Sequence, residues 1–328
     1  MPEFSEKTLS LLQQLQEKLA KDGQSLDTYL EGYCYNTHLS YWDYIELDTL
    51  LSLQKPRTTY PDEHIFIMYH QVTELYFKLC LHEYGQLREK GRSGELTGKF
   101  LRERAARITS YFDALIFSFR IMREGMEYEQ FTKYRLSLTP ASGFQSAQYR
   151  FIEICSTDFA NLVTDSEREA LRHKPLAEQA LKAYWRYGST NEDGTPTLTL
   201  RMFLEKYSQR FYELADENKD TNLAALYRNL PETEKTDELK DVLRKLDRNV
   251  NVNWKLQHFH SSTRYLTGKQ PGQDVPATGG TNWGKYLPPK FQRIIFFPEL
   301  WTAEEIERWG MQWDDSASNL EKDRSMRG

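Results

Sequence analysis

Apolar residues recur every three or four positions along most of this chain, beginning with Leu9, Leu12, Leu15 and Leu19. That spacing predicts an amphipathic helix whose apolar side packs on a neighbour. The stretch YWDYIELDTLLSLQ repeats the pattern with Ile45, Leu47, Leu50 and Leu51, and KPRTTYP then breaks it. A long helix is predicted from Pro61, a residue suited to the first helical position, with Asp62 and Glu63 placed to favour the helix dipole. Its stripe is Ile65, Met68, Tyr69, Val72, Leu75, Tyr76 and Leu79. A further helix covers about Gly98 to Glu127, and LTPASGFQS is a loop before the next helical stretch. Residues 165–235 read as a helical excursion interrupted by the turn-rich GSTNEDGTPT. Thr236 then caps a long helix with Leu239, Leu243, Leu246, Val250, Trp254 and His258 on one side, ending near Gly268. Strand signals are few and repeats are absent. The fold class is all-α.

Composition narrows the function. With 28% charged and 39% hydrophobic residues in a chain of 328, the balance suits helices with wide solvated faces around one sizeable core. The net charge of −5 and the lack of any Lys/Arg-rich run exclude a field that would hold a nucleic-acid backbone. Acids and glutamines interrupt every apolar run near the N-terminus, so neither a signal peptide nor a membrane span is expected. Cys34, Cys80 and Cys155 are widely spaced, which reads as three reduced thiols in a cytoplasmic protein.

The candidate chemistry lies in NWKLQHFHSSTRYL, which carries two of the seven histidines. His258 follows Trp254 by one helical turn on the apolar stripe, whereas His260 is turned roughly 200° away. The two do not share an ion from a helix, and no HExxH or Cys/His cluster offers a zinc site. A lone histidine on an apolar face is more often a satisfied core residue. One imidazole aimed into an apolar cavity is also what a single-ligand haem site needs, and pattern does not separate the two readings.

WKLQHFHSSTRYL followed by ATGG resembles the haem-ligand segment of the tryptophan 2,3-dioxygenase family, in which a tryptophan precedes the proximal histidine by four and an arginine follows it by six. Trp254, His258 and Arg264 occupy that frame. YWDYIELDTLLSLQ, DEHIFIMYHQVTELYFK, TPASGFQSAQYRFIE and NWGKYLPPKFQRIIFFPELW resemble further family segments in family order, so the resemblance covers most of the chain. It implies a helical haem-binding oxygenase fold. A helical arm would span 1–40 and exchange with a neighbouring subunit; the catalytic domain would span 41–310, and a polar tail 311–328.

The resemblance also implies roles. His258 would be the axial ligand of the iron of haem b, with Trp254 and Arg264 as further cofactor contacts. Phe131 and Arg135 match a Phe-x-x-x-Arg pattern whose arginine binds the substrate carboxylate, a task suited to the guanidinium fork. Thr278 matches the threonine that bonds the substrate's ammonium and carboxylate end, although the loop from Gly268 to Thr278 is several residues longer here. Tyr41 and Tyr44 match two tyrosines that reach the active site from a neighbouring subunit, which implies a homo-oligomer, a tetramer or dimer of dimers. One position departs: where the family has a distal histidine, this chain has Pro61, preceded by Tyr60. The expected reaction is insertion of O2 into the indole ring of L-tryptophan or a close indole amino acid. Mono-oxygenation of tryptophan or a related aromatic amino acid, or haem sensing without turnover, are the alternatives.

Overall fold

Hydroxyl and amide side chains set where the helices begin. In the computed structural model, which describes residues 4–35, 40–139, 145–163, 195–266, 289 and 293–311, Ser5, Thr97, Thr197, Asn222, Thr236 and Thr302 each accept a backbone N–H from the first turn of the helix they precede. No β-strand and no helix long and apolar enough to cross a membrane occurs among the described residues. The chain divides into two units at Gln54–Lys55.

The first unit holds α1 (Glu6–Lys21), α2 (Leu26–Tyr35), α3 (Tyr41–Tyr44) and α4 (Leu47–Leu51). The apolar run after Tyr41 is not one helix. Glu46 adopts a left-handed backbone at φ 52° and splits it, and Leu50 and Leu51 are exposed. Spacing alone does not register a local backbone reversal at a non-glycine residue.

The second unit contains α5 (Asp62–Ser93), α6 (Gly98–Glu124), α7 (Tyr128–Tyr134), α8 (Ala147–Ser156), α9 (Leu198–Asn218), α10 (Leu223–Asn229), α11 (Asp237–Arg248), α12 (Trp254–Leu266) and α13 (Ala303–Glu307). Gly94, at φ 71°, ends α5 and lets the chain turn into α6. Helix α6 packs on α5, α11 and α12, while α8 packs on α5 and α9. One core joins Phe77, Leu101, Phe112, Ile152, Phe203, Phe211 and Leu243. The described part of the 165–235 excursion therefore belongs to that core: α9 and α10 supply Phe203, Phe211, Leu223 and Leu226 to it. Residues 164–194 lie outside the described residues.

Helix α5 buries a different face from the one its spacing suggests. Met68, Val72, Leu75 and Leu79 are exposed, and Phe77, Cys80, Tyr84 and Leu87 fill the core. Both faces of the helix are apolar, so periodicity does not select between them.

The helix predicted from Thr236 contains a wide turn. Residues Asn249–Asn253 form a π-turn, with the Trp254 N–H bonded to Asn249 O, five residues back. At about 100° per residue, His258 in an unbroken α-helix would stand about 100° round from Leu239. The extra residue in the wide turn returns Trp254 and His258 to the face of Leu243, Leu246 and Val250. Side-chain bridges brace the turn. Asn251 Nδ2 donates to Asp247 Oδ1 at 2.8 Å, Asn253 Nδ2 to Asn249 Oδ1 at 2.9 Å, and Asn249 Nδ2 to Asp113 Oδ1 on α6 at 2.7 Å.

Asp247, fully buried, also ties the C-terminal segment to this helix. Its carboxylate accepts the N–H groups of Phe296 and Phe297 and the Trp301 indole N–H, at 3.0–3.2 Å. Burial pushes its carboxyl up to about 6, against those hydrogen bonds. Asp247→Asn keeps the shape but sets an amide N–H against these donors. It should destabilise the protein by about 2–4 kcal/mol. A melting temperature equal to the parent's would show that the carboxylate does not hold the segment.

Candidate functional site

One face of α12 carries Trp254, His258, Ser261 and Tyr265, at helical intervals of four, three and four residues. The His258 ring lies parallel to Trp254, with centroids 5.8 Å apart and planes at 7°. Phe119 of α6 meets Trp254 edge-on at 5.9 Å and lies tilted to His258 at 6.1 Å. Tyr149 of α8 also stacks on Trp254, at 4.7 Å, and Phe77 of α5 abuts it at 5.8 Å.

His258 is deep in the protein, and burial pulls its pKa down to about 4, with neighbouring His70 adding to the shift. The imidazole is therefore neutral at physiological pH. The residue is nevertheless only half-buried, so part of its surface stays accessible. On the same face, the Trp254 Nε1–H and the Ser261 hydroxyl are buried and have no hydrogen-bond partner among the described residues. Native interiors rarely leave such groups unsatisfied.

His70 of α5 is a second imidazole in this region that sequence spacing did not single out. Its Nδ1 lies 2.7 Å from Phe66 O; a carbonyl only accepts, so Nδ1 carries the proton and Nε2 keeps its lone pair. Phe66 stacks beside the ring at 4.1 Å and Tyr69 meets it edge-on at 5.8 Å. The only sequence clue was its place in DEHIFIMYHQVTELYFK, where it lies between apolar positions.

Helix α7 forms the adjoining wall. The Phe131 ring is 4.4 Å from Tyr265 and 6.2 Å from Phe66. Tyr265 is fixed by donating its hydroxyl to the Met122 and Met126 carbonyls at the end of α6. Arg135, at the start of the 3₁₀ turn Arg135–Leu138, is only 4% exposed, and burial lowers the pKa of its guanidinium. It is therefore not the solvated helix charge that its sequence position alone would permit.

The loop before α5 is held from below. Buried Glu63 accepts the N–H groups of Arg57 and Thr58 at 2.8 Å, and Asp62 accepts the Glu127 N–H at 2.6 Å. Burial pushes the Glu63 carboxyl up, but these bonds outweigh it and hold it below the usual range. This arrangement fixes exposed Pro61 and half-buried Tyr60, whose ring faces the Lys133 ammonium of α7 at 5.9 Å.

The structure thus brings together Trp254, His258 and Phe131, with buried Arg135 on the same α7 segment. Arg264 is exposed, with its guanidinium over the Tyr265 ring at 5.6 Å. Tyr41 and Tyr44 are exposed on α3 in the first unit. Thr278 lies outside the described residues.

Residues 33–168 match the family model described as tryptophan 2,3-dioxygenase. Relatives that carry this name include one from Ruegeria sp. (strain TM1040), 31% identical over 277 residues that span 80% of this chain and 91% of the relative. One from Pseudomonas aeruginosa (strain UCBPP-PA14) is 32% identical, over 81% of this chain and 89% of the relative. One from Bacillus thuringiensis subsp. konkukian (strain 97-27) is 29% identical, over 82% and 93%. Similarity sustained over nearly the whole length of these proteins has one meaning: the chain belongs to the tryptophan 2,3-dioxygenase family.

Proposed function

We propose that this protein is a cytoplasmic haem-dependent dioxygenase that inserts O2 into the indole ring of L-tryptophan or a close indole amino acid, giving an N-formylkynurenine-type product. The observation that carries the reading is His258: a neutral imidazole, bonded to no protein group among the described residues, half-buried beside the Trp254 and Phe119 rings. Such a nitrogen suits an iron, because a ligating histidine must be deprotonated and accessible. The relatives' shared name favours dioxygenation over transfer of a single oxygen atom.

Haem b would be held by His258 and would supply the iron at which O2 is activated. Trp254 backs the imidazole and limits its rotation. Arg135 takes the substrate carboxylate. A buried guanidinium does so more strongly than an exposed one, since its field is less screened there. Phe131 lies against the indole, Thr278 bonds the ammonium end, and Arg264 offers a cation to the cofactor's carboxylates. With Pro61 in place of a histidine, Tyr60 or water accepts the indole N–H, a bond that contributes about 0.5–1.5 kcal/mol. The reaction does not depend on it.

The assembly we infer is a homotetramer with exchanged N-terminal helices, in which Tyr41 and Tyr44 complete a neighbour's site. The exposed stripe of Met68, Val72, Leu75 and Leu79 on α5 supports this, because a contiguous apolar helix face in water favours a protein partner.

Three measurements test the site. His258→Ala should purify with little haem and His260→Ala with the parent's amount; a normal Soret band in His258→Ala would sink the assignment. Uptake of haem by the haem-free protein should be flat from pH 8 down to about 5.5, because His258 stays neutral there, whereas an imidazole of ordinary pKa, about 6.5, would lose uptake across that range. Arg135→Ala should cut kcat/KM for tryptophan by at least about tenfold, with the haem spectrum unchanged. Kinetics equal to the parent's would mean that Arg135 holds no carboxylate. Aerobic turnover of tryptophan with mass spectrometry of the product separates two added oxygen atoms from one or none.

A further inference from the structure

The wide turn before α12 leaves a trace on a residue with no assigned role, Tyr149. In a regular α-helix the Trp254 N–H would bond Val250 O, four residues back. Here it bonds Asn249 O instead. The Val250 carbonyl is met by the Tyr149 hydroxyl, which donates to it at 3.2 Å across 101 residues of sequence. A freed carbonyl in a dry core is costly unless some donor reaches it, so this hydroxyl and the wide turn stabilise each other. Tyr149 is 5% exposed and Val250 is fully buried, so water does not take the hydroxyl's place.

The same side chain acts at a second point. Its ring stacks on Trp254 at 4.7 Å and 23°, and Trp254 lies parallel to His258 at 7°. One residue thus fixes both the backbone phase of α12 and the plane of the ring that backs the imidazole. Helix α8 holds it there: Ala147, Ile152 and Cys155 are buried with Tyr149 in the core.

We propose that Tyr149 is a positioning residue for His258. By capping the Val250 carbonyl it keeps the wide turn open, and by stacking on Trp254 it sets the rotation of the imidazole about its own helix. It touches neither substrate nor cofactor. The proposal rests on His258 as the iron ligand.

Tyr149→Phe removes one oxygen and leaves the stacked ring, so the core remains filled. Tyr84→Phe is the matched control. It removes another buried tyrosine hydroxyl from the same core, one that bonds the Ser156 hydroxyl at 2.6 Å instead of a backbone carbonyl of the turn. In Tyr149→Phe the Trp254 amide of the haem-free protein should exchange with solvent faster. Haem affinity should fall about tenfold, as is usual when a residue that orients a metal ligand is lost. The iron–histidine stretching band of the ferrous protein should shift, and kcat should fall with KM for tryptophan unchanged. Tyr84→Phe should lower the melting temperature and move none of these. A parent-like band and parent-like affinity in Tyr149→Phe, or equal changes in Tyr84→Phe, would overturn the proposal. His258→Ala separates the two levels: if it keeps haem, the ligand assignment fails; if it loses haem while Tyr149→Phe matches the parent, only the role of Tyr149 fails.

Discussion

The Asn249–Asn253 turn is the constraint on which the site depends. A helix that runs from Asp237 to Leu266 must present leucines to the core at one end and an imidazole to the Trp254 and Phe119 rings at the other. Regular α geometry drifts out of phase over that distance, and one residue accommodated in a wide turn removes the drift. The cost is a disturbed backbone ladder in a water-free interior. Three asparagines, Asp113 and Asp247 brace the turn by bonding one another through their side chains, and the Tyr149 hydroxyl reaches the backbone at the Val250 carbonyl.

Burial gives two groups on the site opposite chemical characters. Depth lowers the pKa of His258 until the ring is neutral throughout the physiological range, as a metal ligand must be. Arg135 is also buried and also shifted downward, yet its ordinary value is so high that it stays charged. Burial therefore leaves one of these groups a neutral lone pair and the other a cation. The proposed function assigns the first to iron and the second to an amino-acid carboxylate.

Helix α5 shows how one element serves two purposes. Its inner face, through Phe77, Cys80, Tyr84 and Leu87, builds the core, and its first turns carry Phe66 and His70 to the site. Its outer stripe is as apolar as its inner face. Such a stripe adds nothing to the stability of one chain in water, and the proposed assembly would cover it.

The sequence by itself determined a good deal: the all-α class, the starts of α5, α6 and α11, and the Trp254–His258 pair. These are consequences of local chemistry, in that capping residues, helical spacing and breakers act over a few positions and are visible in one dimension. The approach of Phe131 to Tyr265 and the depth of Arg135 were not legible in the sequence, since both depend on how α7 and the turn after it meet their neighbours. The break at Glu46, the exposed side of α5, the membership of α9 and α10 in the central core, and the alliance of Tyr149 with Val250 were decided by tertiary structure alone. Each is a choice between locally equivalent arrangements, and it is settled by which surface another element covers and which freed carbonyl a distant hydroxyl can reach.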